Sequence, residues 1–172
     1  MGVALEDFVA ATGYLPAGVH RCAWVEFGDR FVAPNEHRRG LGALLFAALE
    51  ALRAAGCRRV WINGSYVTDK ALPGDVDVLW DAHGVQPRRL DPVFRAEDDQ
   101  TRAERRKRFG GDYIAIYDDG PDAVLIRHFQ TDRAGIDKGI IVMDLSTLPT
   151  ASTPTTKQHN GDDADTEGES SS

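Results

Sequence analysis

At 172 residues, 42% apolar and 27% charged, the chain has the composition of one ordinary globular domain and is too short for two full-sized ones. Its net charge of −7 does not advertise a nucleic-acid binder, although Asp162, Asp163, Asp165, Glu167 and Glu169 near the C-terminus carry much of that charge. No apolar stretch approaches the ~18 residues that span a bilayer.

The longest candidate, 41–52, contains Glu50. The start, Met1-Gly2-Val3-Ala4-Leu5-Glu6-Asp7, has no basic region, and Glu6 stands where a myristoylation motif wants Ser or Thr. A cytoplasmic protein is expected. Cys22 and Cys57 lie far apart without metal-ligand spacing and are expected to be buried and reduced.

Asn35 suits the N-cap of a helix in which Leu41, Leu44, Leu45, Ala48, Leu49 and Leu52 recur at three- and four-residue spacing, with Gly56 as the stop. Residues 59–63 then read as a strand, followed by a loop containing Gly and Pro and a second strand over 75–80. A charged helix over 98–109 is stopped by Gly110-Gly111, and 112–117 reads as a short strand. Pro121 opens a helix over 121–131, on which Val124, Leu125, His128 and Phe129 share one face; His128 there reads as a hydrogen-bonded core histidine. The last strand is 139–145. Beyond it the sequence has almost no large apolar side chain to offset its ordering entropy. The expectation is an α/β (α+β) chain: one domain over 1–145 with a mixed sheet packed by helices, and a disordered acidic, polar tail over 146–172.

The chemistry concentrates between the first two strands. Side chains alternate along a strand, so Asp75 and Asp77 project to one face while Val76, Val78 and Trp80 face the other. Two carboxylates on one face repel unless a cation lies between them, and Mg²⁺ takes hard oxygen ligands of this kind together with substrate phosphates. Gly64-Ser65 directly follows the preceding strand, where glycine lets the backbone approach a phosphate and serine offers an amide and a hydroxyl.

The stretch Ile62-Asn63-Gly64-Ser65 through Asp75-Val76-Asp77-Val78 resembles the apolar-x-Gly-Ser…Asp-x-Asp signature of the DNA polymerase β nucleotidyltransferase superfamily. Leu15-Pro16-Ala17-Gly18-Val19-His20, the Glu36–Arg39 helix start and the run from Lys138 to Leu145 extend the resemblance, over roughly residues 15–145, to small bacterial nucleotidyltransferase-like proteins. The resemblance implies a nucleotidyltransferase fold in which Gly64 and Ser65 hold the triphosphate of an NTP, Asp75 and Asp77 hold two Mg²⁺ ions, and a later strand supplies a third carboxylate. Asp144 is the expected third carboxylate, with Asp112 as the alternative; the plain reading of Asp144 is a strand-end acid facing solvent. Lys70 could reach the β- and γ-phosphates, or be a solvated loop lysine.

The activity so implied is Mg²⁺-dependent transfer of a nucleotide from an NTP to an acceptor hydroxyl. Small members of the superfamily modify drugs, tRNA or proteins, some in toxin–antitoxin pairs, so RNA and a partner protein are both open as acceptors. Arg102, Arg105 and Arg106, with Lys107 and Arg108 beside them, could form a basic stripe for a polynucleotide; the acids Glu97, Asp98, Asp99 and Glu104 point instead to pairing along a solvated helix. Two other readings stand beside this one. His37-Arg38-Arg39-Gly40-Leu41-Gly42 resembles the Arg-x-x-Gly-x-Gly loop with which N-acetyltransferases hold acetyl-CoA, though the 36 residues before it do not read as a multi-stranded sheet. A non-catalytic binding or regulatory module is the other, against which stands the retention of two repelling carboxylates.

Overall fold

The computed structural model describes residues 4–117, 120 and 123–150, and a five-stranded mixed sheet lies at its centre. The strands are β1 (Gly18–Arg21), β2 (Arg59–Asn63), β3 (Val76–Asp81), β4 (Gly111–Ile116) and β5 (Gly139–Asp144), in the spatial order β1-β5-β2-β3-β4. The two outer pairs, β1 with β5 and β3 with β4, are parallel, and β2 runs antiparallel to both its neighbours. The strands expected over 59–63, 75–80, 112–117 and 139–145 all lie in this one mixed sheet.

Alternation along the strands sorts the core into two layers. Val60 and Ile62, Val76, Val78 and Trp80, Tyr113, and Ile141 and Met143 face one side, where they meet Leu45, Leu49 and Leu52 of α2 (Glu36–Ala54) and Phe109 of α3 (Asp99–Phe109). Trp61, Leu79, Ile116, Ile140 and Val142 face the other side, against Ala123 and Ile126 at α4 (Val124–Phe129). The α2 boundary follows the expected cap, with the Asn35 side chain accepting the Arg38 amide at 2.9 Å. Asp98 does the same for Thr101 at the start of α3. Among the described residues no helix is long and apolar enough to cross a membrane. Cys22 and Cys57 are free and buried, and burial pushes both thiols up to about 12.

The chain before Asn35, where no element was predicted, is structured: β1 is followed by the short helix α1 (Trp24–Phe27) and a wider π turn (Gly28–Val32), which bring Phe27 and Phe31 fully into the core. Two expectations need correction. At α4 the packed residues are Ala123, just ahead of it, Ile126 and, in part, Phe129 of the expected face, while Val124, Leu125 and His128 face outward; His128 is an exposed residue, not a core histidine. Residues 121 and 122 of the predicted helix lie outside the described residues. The domain also runs past 145: Leu148 is buried, Thr147 Oγ1 accepts the Trp24 amide at 3.2 Å, and Arg53 donates to the Leu148 carbonyl at 3.0 Å. Of the predicted tail, 151–172 lies outside the described residues.

Candidate functional site

The loop between β2 and β3 begins at Gly64 in a conformation that few other residues adopt, with φ at +88°. A Cβ there would stand 3.0 Å from the Asp75 carbonyl oxygen and 3.2 Å from the Asp77 amide, so glycine is what lets this loop lie against the head of β3. Ser65 follows and donates its amide to Asp75 Oδ1 at 2.7 Å. Its hydroxyl also donates to that oxygen and accepts the Gly74 amide at 2.9 Å. Gly64, Ser65, Asp75 and Asp77 thereby line one cleft of about 750 Å³, and Lys70 joins them on its wall.

The charges are arranged unequally. Burial alone would raise the Asp75 carboxyl; the Ser65 hydrogen bonds, aided by Lys70 and Lys138, outweigh it and hold the group below the usual carboxylate range. Asp77 goes the other way, pushed up to about 6 by burial first and then by the carboxylates of Asp75 and Asp112, against the pull of Lys138 and Arg106. Asp112 is the register partner of Asp77 on parallel β4 and therefore shares its face of the sheet. The Arg106 guanidinium grips Asp112 with two hydrogen bonds of 3.0 and 2.7 Å. On the other side of Asp77, in the β2–β3 register, stands Asn63, 5% exposed, whose Oδ1 has no hydrogen-bond partner among the described residues.

The chain belongs to a family of unknown function, DUF6932. The match covers residues 7–144 and so takes in all of these site residues. No curated protein and no solved structure matches the chain.

The third carboxylate of this DUF6932 chain was expected at Asp144, and the topology places that residue elsewhere. Because β5 runs antiparallel to β2, Asp144 pairs with Arg59, whereas Asp77 pairs with Asn63 four residues further along β2. That separation is roughly 13 Å along the strand alone, too far to share ions ~3.5–4 Å apart. Asp144 is exposed and accepts the Ser146 amide at 2.9 Å; hydrogen bonds from Ser146 hold its carboxyl below the usual range. Its role is to cap the turn after β5. Asp112 is the carboxylate that the sheet brings level with Asp77, because β4 is parallel to β3.

The cleft also contains residues that the sequence reading missed: Tyr14, Asp132, Arg133 and Lys138. The sequence signal for two of them is the turn Asp132-Arg133-Ala134-Gly135, ahead of β5 and rich in turn-forming residues. The arginines of α3 are engaged within the protein. Arg105 is fully buried and bonded to Glu97 at 2.8 Å, Arg106 is paired with Asp112, and Arg108 grips Asp91 at 3.1 and 2.7 Å. Of the expected stripe, Arg105 is thus withdrawn into the core, while Arg102, Arg106, Lys107 and Arg108 stay at the surface. Residues 37–42, the glycine-containing segment of the acetyltransferase-like motif, form the first turns of α2. Gly42 is there to pack: a Cβ would stand 2.6 Å from Val32 and 2.7 Å from the Tyr66 hydroxyl.

Among the described residues no three His, Cys, Asp or Glu side chains are gathered as a metal cage. The donor set nevertheless suits a hard dication: carboxylate oxygens from Asp75, Asp77 and Asp112, beside the unpartnered amide oxygen of Asn63. Asp77 is the member whose charge is least compensated by the protein, while Ser65 and Arg106 hold the other two.

Proposed function

We propose that this cleft catalyses Mg²⁺-dependent transfer of a nucleotide from an NTP to an acceptor hydroxyl, with Asp75, Asp77 and Asp112 as the acidic group and Gly64–Ser65 as the phosphate loop. The observation that carries the reading is one cleft lined by Asp75 and Asp77 as well as by Lys70, Arg133 and Lys138, with Asp112 level with Asp77 on the neighbouring strand. Such a site pairs acids that need a cation with cations that need an anion, and a metal-bound triphosphate supplies both. A bound dication would neutralise charge on the transferring phosphoryl group and lower the proton affinity of the attacking hydroxyl.

The protein's own contribution is positioning. The Ser65 amide and hydroxyl, now on Asp75, are the donors nearest a phosphate placed over the loop, and Gly64 leaves room for it. Asp77, whose charge is the least compensated of the three, would hold the dication together with Asp75. Arg106 neutralises Asp112 in the metal-free protein and would have to yield it. The superfamily resemblance and this geometry support the same reading; the acceptor, RNA or a partner protein, is read by experiment. In a cytoplasmic extract, purified protein incubated with each labelled NTP and Mg²⁺ should transfer label to RNA, protein or a small molecule. Asp77→Asn should lower that transfer by ~10²-fold or more, the effect of removing one electrostatic contributor at such a site. Full transfer by Asp77→Asn, or tight acetyl-CoA binding with no response to Mg²⁺-NTP, would overturn the reading.

A further inference from the structure

Three cations line the cleft from two sides, Lys70 on the β2–β3 loop and Arg133 with Lys138 on the turn before β5, and one residue ties the two sides together. Tyr14 forms an isolated antiparallel bridge with Thr68, two residues before Lys70. Its phenol donates to Asp132 Oδ2 at 2.9 Å, next to Arg133. Both ends of this link are stiff. On the loop side, the Asp69 amide donates to the Gly13 carbonyl at 3.0 Å, and the buried Arg38 holds the carbonyls of Thr68 and Lys70 at 2.7 and 2.6 Å.

On the other side, Asp132 Oδ1 accepts the amides of Ala134 and Ile136, each at 2.8 Å. Thr131 bridges Asp137, and the Lys138 amide donates to Gln130 at 2.9 Å. Residues 131–138 are thus one hydrogen-bonded body, and a force applied at Asp132 moves Arg133 and Lys138 with it. Side-chain entropy favours the cations staying in water, so a pre-set spacing lowers what an anion must offset on binding.

We propose that Tyr14 is a positioning residue that sets these two loops at the spacing of a nucleotide's triphosphate chain, so that Lys70 and the Arg133–Lys138 pair close on the same phosphates. The ligand class rests on the nucleotidyl-transfer reading; the link itself does not. Triphosphate suits the cleft better than the backbone of a polynucleotide, because the acids Asp69, Asp75, Asp77 and Asp132 also line it and only a compact, highly charged anion with its metal outweighs them.

The test is equilibrium binding of inorganic triphosphate in Mg²⁺ to the full chain and to its Tyr14→Phe, Asp132→Asn, Arg133→Gln and Tyr14→Phe/Arg133→Gln variants, with thermal unfolding alongside. Tyr14→Phe should weaken triphosphate about 10-fold and leave the melting temperature within about 2 °C, since the lost bond is one surface hydrogen bond. Asp132→Asn should bind at least as well as the wild type, because the amide retains an oxygen for the turn and a second polar atom for the phenol. The double variant should lose less than the product of the two single losses, as expected when one residue acts through the other. Wild-type binding by Tyr14→Phe, or strictly multiplicative losses, would overturn the positioning role. Failure of the wild type to bind triphosphate, or tighter binding of a short oligoribonucleotide, would overturn the clamp. A wild type that binds triphosphate through this link yet transfers no label from any NTP would leave the clamp standing and defeat the nucleotidyl-transfer reading.

Discussion

Arg38 is 3% exposed in a helix whose neighbouring arginine, Arg39, is in solvent, and the difference lies in what each guanidinium meets. Arg38 donates to the carbonyls of Phe31, Tyr66, Thr68 and Lys70, and its own carbonyl accepts the Tyr66 hydroxyl at 2.8 Å. Burial pulls its pKa down and Asp69 offsets part of that, yet among the described residues no carboxylate forms an ion pair with it; the backbone carbonyls of the β2–β3 loop and of Phe31 take that place. Arg38→Met would fill similar space and leave those carbonyls without donors, at about 1–3 kcal/mol for each one that water cannot reach. We expect a loss of about 3 kcal/mol or more in urea unfolding. Arg38→Lys should recover little of it, because a point charge cannot reproduce a planar fork that bridges four acceptors. A Lys variant with wild-type stability would show that charge alone holds the loop.

The short segment after β5 illustrates how an element gains its place from a few contacts. Leu145 and Leu148 are buried, and Thr147 and the Leu148 carbonyl bond to Trp24 and Arg53. A chain ending at Leu145 should therefore be less stable than one ending at Thr150 by roughly 2–3 kcal/mol, the value of one buried leucine plus its hydrogen bonds; equal melting temperatures would show that the segment does not pack. The sequence hid this element because a single apolar residue among Ser, Thr and Pro has no periodicity. Much else was legible: the α2 cap and apolar stripe, the β2 and β3 strands, and the Gly64–Ser65 and Asp75–Asp77 placement, all of which depend on contacts close in sequence. What depends on strand direction was not legible. Asp112 and Asp144 both end up on strands with apolar neighbours, and only the parallel pairing of β4 with β3 and the antiparallel run of β5 decide which one reaches Asp77. Tyr14 joined the site in the same way, through a partner 118 residues away. For α4 the helix was right and its face only partly so: Phe129 packs against the core as expected, but Val124 and Leu125 point away from it and Ile126 takes their place.

Across the whole molecule, the cost of the acidic site should appear as a pH dependence of stability. The Asp77 carboxyl is raised to about 6 in the fold and lies near 3.9 in an unfolded chain. Between those values the native state holds a proton that the unfolded state has released, so stability falls as pH rises through the window from about 4 to about 6. Above it the full penalty applies, on the order of 2 kcal/mol after allowing for partial solvation. Asp77→Asn removes the group and should unfold at nearly the same denaturant concentration as the wild type at pH 4, yet be more stable by about that amount at pH 7.5, both in EDTA. Carboxyls held low in the fold, such as Asp91 beside Arg108, give the opposite slope, but they are common to both proteins and cancel in the difference. Millimolar Mg²⁺ at pH 7.5 should then stabilise the wild type and leave Asp77→Asn nearly unchanged, because a ligand that binds only the native state adds stability in proportion to the logarithm of its saturation. A constant gap between the two proteins from pH 4 to 7.5 would mean that Asp77 does not carry the raised charge. A variant less stable than the wild type at pH 7.5 would mean that the carboxylate holds the fold together instead of straining it.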